Sequence, residues 1–309
     1  MPNTRPSDLS KASLICSKFA LPIIAIHLLA LTALWPGFYS WVNVAVCVVG
    51  IFVFGQGINL GYHRLLAHRS LQVPKWLEYF YVMLALCCME ESPGKWVATH
   101  RRHHTFSDKD DDPHSTGHGF FWAHMGWLMF RREGVEGLTA DPRWAADILK
   151  DRWYFQLERH WWLPPAFFLF QMVVFFTSGL SVALATGAEW GSAVQAACGL
   201  IVWGVILRTV IVWHITWSVN SLTHFFGYRN YDTGEESRNN WLVAILASGE
   251  GWHNNHHHDP ASASVQHRWW EFDLTYYHIR ALEVLGLAKK VIRPRRTRHG
   301  EKRGASVAK

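Results

Sequence analysis

The sequence predicts an all-α integral membrane protein: four transmembrane helices arranged as two hairpins, plus a cytoplasmic helical cap, in one domain over residues 1–309. Half of the residues are hydrophobic and only 17% are charged, whereas soluble proteins carry about a quarter. Residues 19–63 and 161–188 contain no Asp, Glu, Lys or Arg. The 18 tryptophans fit membrane interfaces, where indole rings lie at headgroup level.

Four apolar stretches are near the roughly 20 residues that a helix needs to cross a bilayer core. The first hairpin is predicted at 19–35 and 41–62, with its turn at Pro36 and Gly37. The second is predicted at 163–185 and 194–222 and carries one charge, Arg208. An intramembrane charge indicates function by default, although an arginine can also snorkel or pair with a carbonyl in the bundle.

The basic residues predict the orientation of the chain. Apart from Arg208 they lie in the N-terminus, in 64–160 and in 223–309, which includes the basic tail 289–309. The positive-inside rule places all three segments in the cytoplasm. Segment 76–90 is apolar but short, so we expect a helix that lies in the membrane plane or is partly buried. The net charge of +6 is concentrated in the tail, which favours anionic lipid over nucleic acid as its partner.

Three clusters of histidines in the polar segments are the main functional feature. Two of them have the spacing i, i+3, i+4, which places three side chains on one face of a helix. The first pair has the spacing i, i+5, which spreads it across a helix and suits two metals on either side of a seam, or a frayed helix end. The clusters are His63 and His68, then His100, His103 and His104, then His253, His256 and His257.

These clusters predict a site for two metal ions. Neutral imidazole binds Zn, Cu, Fe and Ni, and a single structural zinc needs only four ligands. Asn220 and His224 lie i, i+4 at the end of the last span; alone they would be solvated caps, but beside the clusters they are candidate ligands. His258 is one residue off the shared face, so we expect it to be exposed or behind the ligands. A solvated histidine-rich surface is the alternative for any one of these side chains.

The motifs around the histidines resemble those of membrane fatty acid desaturases, in the acyl-CoA (stearoyl-type, Δ9) branch. The similar segments are 61–68 (GYHRLLAH), 112–114 (DPH), 119–127 (GFFWAHMGW), 217–224 (WSVNSLTH) and 249–257 (GEGWHNNHH). The resemblance covers residues 20–285 and implies two Fe²⁺ ions, with O2 as co-substrate. It implies that Asn220 reaches one iron through water, that Trp217 shapes a kinked acyl tunnel and that Arg131 lies near the carrier headgroup. The nine histidines it implies as ligands are His63, His68, His100, His103, His104, His224, His253, His256 and His257.

The resemblance implies an O2-dependent desaturase that makes a cis double bond in a saturated acyl chain, with Δ9 as the default position. Ala98 and Thr99 stand where CoA-binding members often carry a charged pair, which weakens the case for acyl-CoA and leaves acyl-lipid and acyl carrier protein substrates open. No haem-binding motif follows the third cluster, so the electron donor is expected to be a separate protein of the ferredoxin, rubredoxin or cytochrome b5 type. Asp108, Asp110–Asp112 and Glu250 are candidates to orient the imidazoles, although solvated loop acids are the commoner interpretation.

Three other functions could also use clusters of metal-binding side chains. A membrane hydroxylase would use the same irons to insert oxygen, and the histidines alone do not distinguish it. A carboxylate-bridged di-iron bundle needs two Glu-x-x-His motifs, and the sequence has one, at Glu250–His253. A metal transporter would place polar residues near the middle of its spans, whereas the clusters lie at or beyond their ends.

Overall fold

The computed structural model describes residues 19–130 and 140–295, and within these ranges every regular element is helical, as predicted. Three π-helical segments, Gly57–Ala67, Trp122–Gly126 and Val202–Leu207, interrupt or extend the helices. Short turns lie at Leu31–Leu34, Pro36–Phe38, Thr116–His118, Trp127–Met129 and Leu222–Phe225. The longer helices are α1 Ala20–Ala30, α2 Trp41–Gln56, α3 Lys75–Leu86, α4 Pro93–Phe106, α5 Pro142–Leu149, α6 Arg152–Arg159, α7 Leu163–Ala185, α8 Trp190–Ile201, α9 Arg208–Asn220, α10 Trp241–Leu246, α11 His253–His258 and α12 Leu274–Val284.

Among the described residues, three helical runs are long and apolar enough to cross a membrane: Trp41–Ala67, Leu163–Ala185 and Trp190–Phe225. The prediction of four spans was therefore wrong at 19–35. That segment forms the 11-residue α1 and a 4-residue 3₁₀ turn, which together fall short of a crossing. Its helix ends because Trp35 is extended, with ψ of 124°, and Pro36 begins a new turn.

Helix α1 is nevertheless packed against the spans. Ile23 and Ile26 are buried in an apolar cluster with Trp213 and Trp217 of α9 and Phe168 of α7. The short helix α1 therefore covers the C-terminal half of α9 on the side of Trp213 and Trp217. This packing places the start of the described chain next to Trp217.

The short helix predicted at 76–90 is observed as α3, over 12 residues. Its buried face packs on the π-helical extension of α2, where glycines allow the two backbones to approach. A Cβ on Gly57 would lie 2.3 Å from the backbone nitrogen of Ala85, and one on Gly61 would lie 2.9 Å from Cβ of Tyr81. Helix α3 thus supports the segment that carries His63.

Arg208 is fully buried in the bundle and does not snorkel. Its guanidinium donates to the Gln171 side-chain oxygen at 2.7 Å and to the Gly204 carbonyl at 3.2 Å. It also lies 3.1 Å from Sγ of Cys88 and over the ring of Phe54, 4.0 Å from the ring centroid. Of the two structural interpretations, pairing within the bundle is the observed one, and it ties α9 to α7 and α2.

Candidate metal centre

The first histidine pair lies where the π-helical extension of α2 ends. In a π-helix the hydrogen bonds run between residues five apart, and here the amide of His68 donates to the carbonyl of His63 at 3.1 Å. The two rings therefore lie together, with centroids 4.9 Å apart. The expectation that i, i+5 spacing spreads this pair across a helix was wrong, because it assumed regular α-helical turns.

The second and third clusters lie on α4 and α11, and their i, i+3, i+4 faces point toward each other. Nε2 of His103 is 3.3 Å from Nε2 of His257, and Nε2 of His104 is 2.9 Å from Nε2 of His256. The first pair meets the same centre, since Nε2 of His63 is 3.1 Å from Nε2 of His256. Side chains more than 150 residues apart in sequence therefore converge.

The nine histidines form two groups. In each, the potential ligand atoms lie within 4.8 Å of one another, apart from those of His104, which contacts His100 and His256 of the first group at 3.1 and 2.9 Å. The first histidine group is His63, His68, His100, His104 and His256. The second histidine group is His103, His224, His253 and His257.

Three of the rings have a carboxylate next to Nδ1, the ring nitrogen that points away from the centre. Nδ1 of His63 lies 2.9 Å from Glu250, Nδ1 of His103 lies 2.9 Å from Asp112 and Nδ1 of His224 lies 3.0 Å from Asp108. An Nδ1–H that donates to a carboxylate leaves the Nε2 lone pair directed inward, the usual arrangement behind metal-bound imidazoles. These three acids were among the predicted candidates.

Two of the predicted acids lie at the surface, and one acid that was not predicted lies near a histidine ring. Asp110 and Asp111 lie exposed on the surface. Glu235, which sequence reasoning missed, lies 3.6 Å from Nδ1 of His257. It belongs to an irregular loop with no spacing relation to the third cluster, so no sequence pattern could have indicated it.

The electrostatics differ between these imidazoles: burial acts to lower the pKa of His103, but the Asp112 carboxylate outweighs it and raises that pKa. Burial and neighbouring rings lower the pKa of His100 and His104 well below the usual value. Burial acts to raise the pKa of Asp112, but His103 and His114 outweigh it and hold that pKa at about 2. The lowered pKa values of His100 and His104 favour the neutral form, in which imidazole binds metals.

The arrangement fits two metal ions. Two nitrogens at right angles on an ion about 2.1 Å away would be about 3 Å apart. The neighbouring Nε2 atoms here are separated by 2.7 to 3.3 Å. Inward lone pairs at that distance repel unless a cation lies between them, and Nε2 of the buried His224 has no hydrogen-bond partner among the residues that the structure describes. An all-imidazole donor set suits divalent iron, zinc, copper or nickel.

An apolar cavity of about 100 Å³ lies beside the centre. Phe19 and Ile23 line it at the α1 side, and His100, His114 and Asn220 contribute polar atoms. Trp217, 3% exposed, forms part of the wall and stacks on Trp213 with centroids 5.7 Å apart. Of the residues predicted to bind substrate or water, Trp217 and Asn220 therefore line this cavity, whereas Arg131 lies outside the described residues.

His114 is a cavity residue that was not assigned a role from the sequence. Its ring lies 4.2 Å from that of His103, centroid to centroid, and Asp112 lies 3.7 Å from its Nδ1. Its only sequence signal was its place in the segment 112–114. It joins the cavity wall to the second histidine group.

A family model and individual similar proteins all indicate the same family for this chain. The fatty acid desaturase family model matches residues 18–291. The chain is 42% identical over 269 residues to an sn-1 stearoyl-lipid 9-desaturase of Anabaena variabilis, covering 87% of this chain and 90% of that one. It is 39% identical to an sn-2 palmitoyl-lipid 9-desaturase of Nostoc sp. (strain 36), covering 88% and 90%. It is 38% identical to an acyl-CoA C20 Delta5-desaturase of Anemone leveillei, covering 86% and 78%.

Proposed function

Because the chain belongs to the fatty acid desaturase family, we propose that it introduces a cis double bond, at Δ9, into the saturated acyl chain of a membrane lipid. Like other members it is an oxidoreductase that acts on fatty acyl chains. The observation that carries the proposal is the convergence of two groups of imidazole Nε2 atoms beside an apolar cavity.

The two histidine groups would each hold one Fe²⁺ ion, and Asn220 would reach one of the two ions through a water molecule. When bound, the irons supply, with O2 as co-substrate, the oxidising power that an unactivated methylene C–H bond requires. The contribution of the protein is geometric. Glu250, Asp112 and Asp108 fix the rings of His63, His103 and His224, so that the centre keeps its shape during turnover.

The cavity would place one C–C bond of the acyl chain beside the first histidine group. Trp213 and Trp217 form an apolar wall, and polar side chains, among them Glu90, His100 and Asn220, line other parts of the cavity. An acyl tail gains hydrophobic stabilisation in such a cavity and cannot slide past the wall. Positional selectivity then follows from the depth at which the tail stops.

Two observations favour a lipid-linked substrate over a CoA thioester. Ala98 and Thr99 are buried, and Thr99 lines the cavity, so no charge stands there to bind a CoA phosphate. The relatives from Anabaena variabilis and Nostoc sp. are named as lipid 9-desaturases, although the relative from Anemone leveillei is named as an acyl-CoA desaturase. A lipid-linked chain enters laterally from the bilayer, which suits spans with apolar exposed faces. We further propose that the histidine clusters and the C-terminus face the cytoplasm.

Expression in a cell that lacks its own desaturase tests this function. We expect a cis Δ9 monounsaturated chain in the membrane lipids, measured by gas chromatography and mass spectrometry with double-bond derivatisation. His256→Ala should abolish the product while the protein stays in the membrane, because Nε2 of His256 contacts both His63 and His104. A hydroxylated chain in place of the alkene would show that the enzyme is a hydroxylase instead.

A further inference from the structure

His258, the last residue of α11, belongs to neither histidine group. Its ring stacks on Tyr231, with centroids 3.7 Å apart and planes within 6°. The hydroxyl of Tyr231 lies 2.9 Å from Nδ1 of His267. Three rings are therefore in contact, in the spatial order His267, Tyr231 and His258. His258 directly follows His257 of the second histidine group in the chain.

The two asparagines inside the third cluster hold this stack in place. The side chain of Asn254 accepts from the amide of Tyr231 and donates to its carbonyl, both at 2.9 Å. Asn255 accepts from the side chain of Asn230 at 2.8 Å. Because Asn254 and Asn255 lie between His253 and His256, the helix that presents the inner imidazoles also fixes Tyr231.

His267 lines an open surface cleft of about 530 Å³, which we call the arginine cleft. Arg268, Arg280 and Arg293 line it with Trp269, whose side chain is 86% exposed. Arg268 bonds the side chain of Asn230 at 3.3 Å, so the cleft and the Tyr231 loop are connected.

The arginine cleft carries excess positive charge. Among the described residues, Glu283 is the carboxylate that pairs with Arg280 and Arg293. Glu271 is fully buried and accepts from the amides of His267 and Arg268. A basic, open surface with an exposed tryptophan has the composition of a protein-docking site for an acidic partner.

We propose that the arginine cleft docks an acidic one-electron carrier protein, and that electrons pass through His267, Tyr231 and His258 to the second histidine group. This rests on the proposed function, which consumes electrons. For each double bond, the acyl chain loses two hydrogens as two electrons and two protons. O2 takes these with two more electrons from the carrier and two protons from water, and leaves as two water molecules.

Docking is tested by binding, without reference to turnover. The probe is a plant-type [2Fe–2S] ferredoxin of net negative charge, titrated against the purified full-length protein in neutral detergent at several salt concentrations. Replacing Arg268 and Arg280 together with Glu should raise Kd on the order of tenfold or more and flatten its salt dependence. The matched control is Arg143→Glu, at a side chain that is 80% exposed in another helix, and it should leave Kd unchanged.

The ring path is tested by stopped-flow reoxidation of reduced ferredoxin in iron-loaded protein under O2 with substrate. Tyr231→Leu should slow reoxidation at saturating ferredoxin while Kd and iron content stay at wild-type values. Tyr231→Phe, which keeps the stacked ring but loses the hydroxyl contact to His267, should be less affected. Equal rates in all three proteins would overturn the path.

Other outcomes separate the hypotheses. An unchanged ferredoxin Kd in the double variant, with weakened binding to vesicles of anionic phospholipid, would show that the cleft binds lipid headgroups and would overturn docking. A wild-type protein that binds ferredoxin through the cleft but forms no double bond would refute the proposed desaturation and leave docking supported.

Discussion

Arg64 makes a sharp test of how the centre is supported. Its guanidinium, in the π-helical segment, is 1% exposed and donates to both oxygens of Asp273 at 2.9 Å. It also donates to Glu250 at 2.7 Å and to the Ala263 carbonyl at 2.7 Å. Because Glu250 holds His63, this cation joins the first histidine cluster to the third.

Replacing Arg64 with Met leaves two buried carboxylates without their cation. Breaking a buried ion pair in this way costs about 3–5 kcal/mol. Asp273 still accepts from the amides of Val265 and Tyr276, so we expect a value in the lower half, about 3 kcal/mol. At about 2–4 °C per kcal/mol, the melting temperature should fall by roughly 6–12 °C.

Thermal melts of the metal-free protein in detergent measure this loss. Adding Asp273→Asn to Arg64→Met removes one uncompensated charge, so the double variant should melt above the single one. Asp273→Asn alone should also be destabilising. The double variant should therefore lose less stability than the sum of the losses of the two single variants. A single variant within about 1 kcal/mol of wild type, or two losses that add, would refute this account of Arg64.

Three further outcomes follow from the same geometry. Asp112→Asn keeps an acceptor for His103 but removes the charge, so metal affinity should fall about 10–100-fold in a titration followed by elemental analysis; an unchanged affinity would contradict it. Trp217→Ala should cost about 3–5 kcal/mol and broaden the chain lengths or double-bond positions found by mass spectrometry, whereas an unaltered product range would show that this wall does not select. Burial and neighbouring rings lower the pKa of six histidines of the three clusters. Below about pH 6.5 the unfolded chain therefore binds more protons than the folded one. Stability of the metal-free protein should therefore be full above that pH and fall as the pH drops, by up to about 1.4 kcal/mol per ring per pH unit, and a flat melting temperature from pH 7 to 5 would be inconsistent with this. The six are His68, His100, His104, His253, His256 and His257.

Much of the helical framework could be predicted because charge and proline mark the ends of apolar runs. The span at 163–185 is observed with those bounds, since Pro164 and Pro165 lie in its first turn and a glycine follows its end. The segment at 19–35 has the same composition but not the same length of helix. Where an apolar helix stops depends on backbone angles at Trp35, which composition does not report.

The inward faces of α4 and α11 could be predicted from spacing, because α-helical periodicity fixes which side chains share a face. The carboxylates behind them could not. Asp108, Asp110, Asp111 and Asp112 lie in one short loop, and only the folded loop turns two of them toward histidines and two toward solvent. Glu235 depends on a contact between distant segments, for which one sequence holds no signal.

The π-helical turn between His63 and His68 bears on the number of residues that separate the two histidines of the first cluster. A turn of this kind holds one residue more than an α-helical turn. Deleting one residue between the two histidines would let the backbone relax to regular α-helix, where i, i+4 side chains also lie one above the other. Two histidines spaced HxxxH in an α-helical turn would therefore lie together much as the HxxxxH pair does in this π-helical turn.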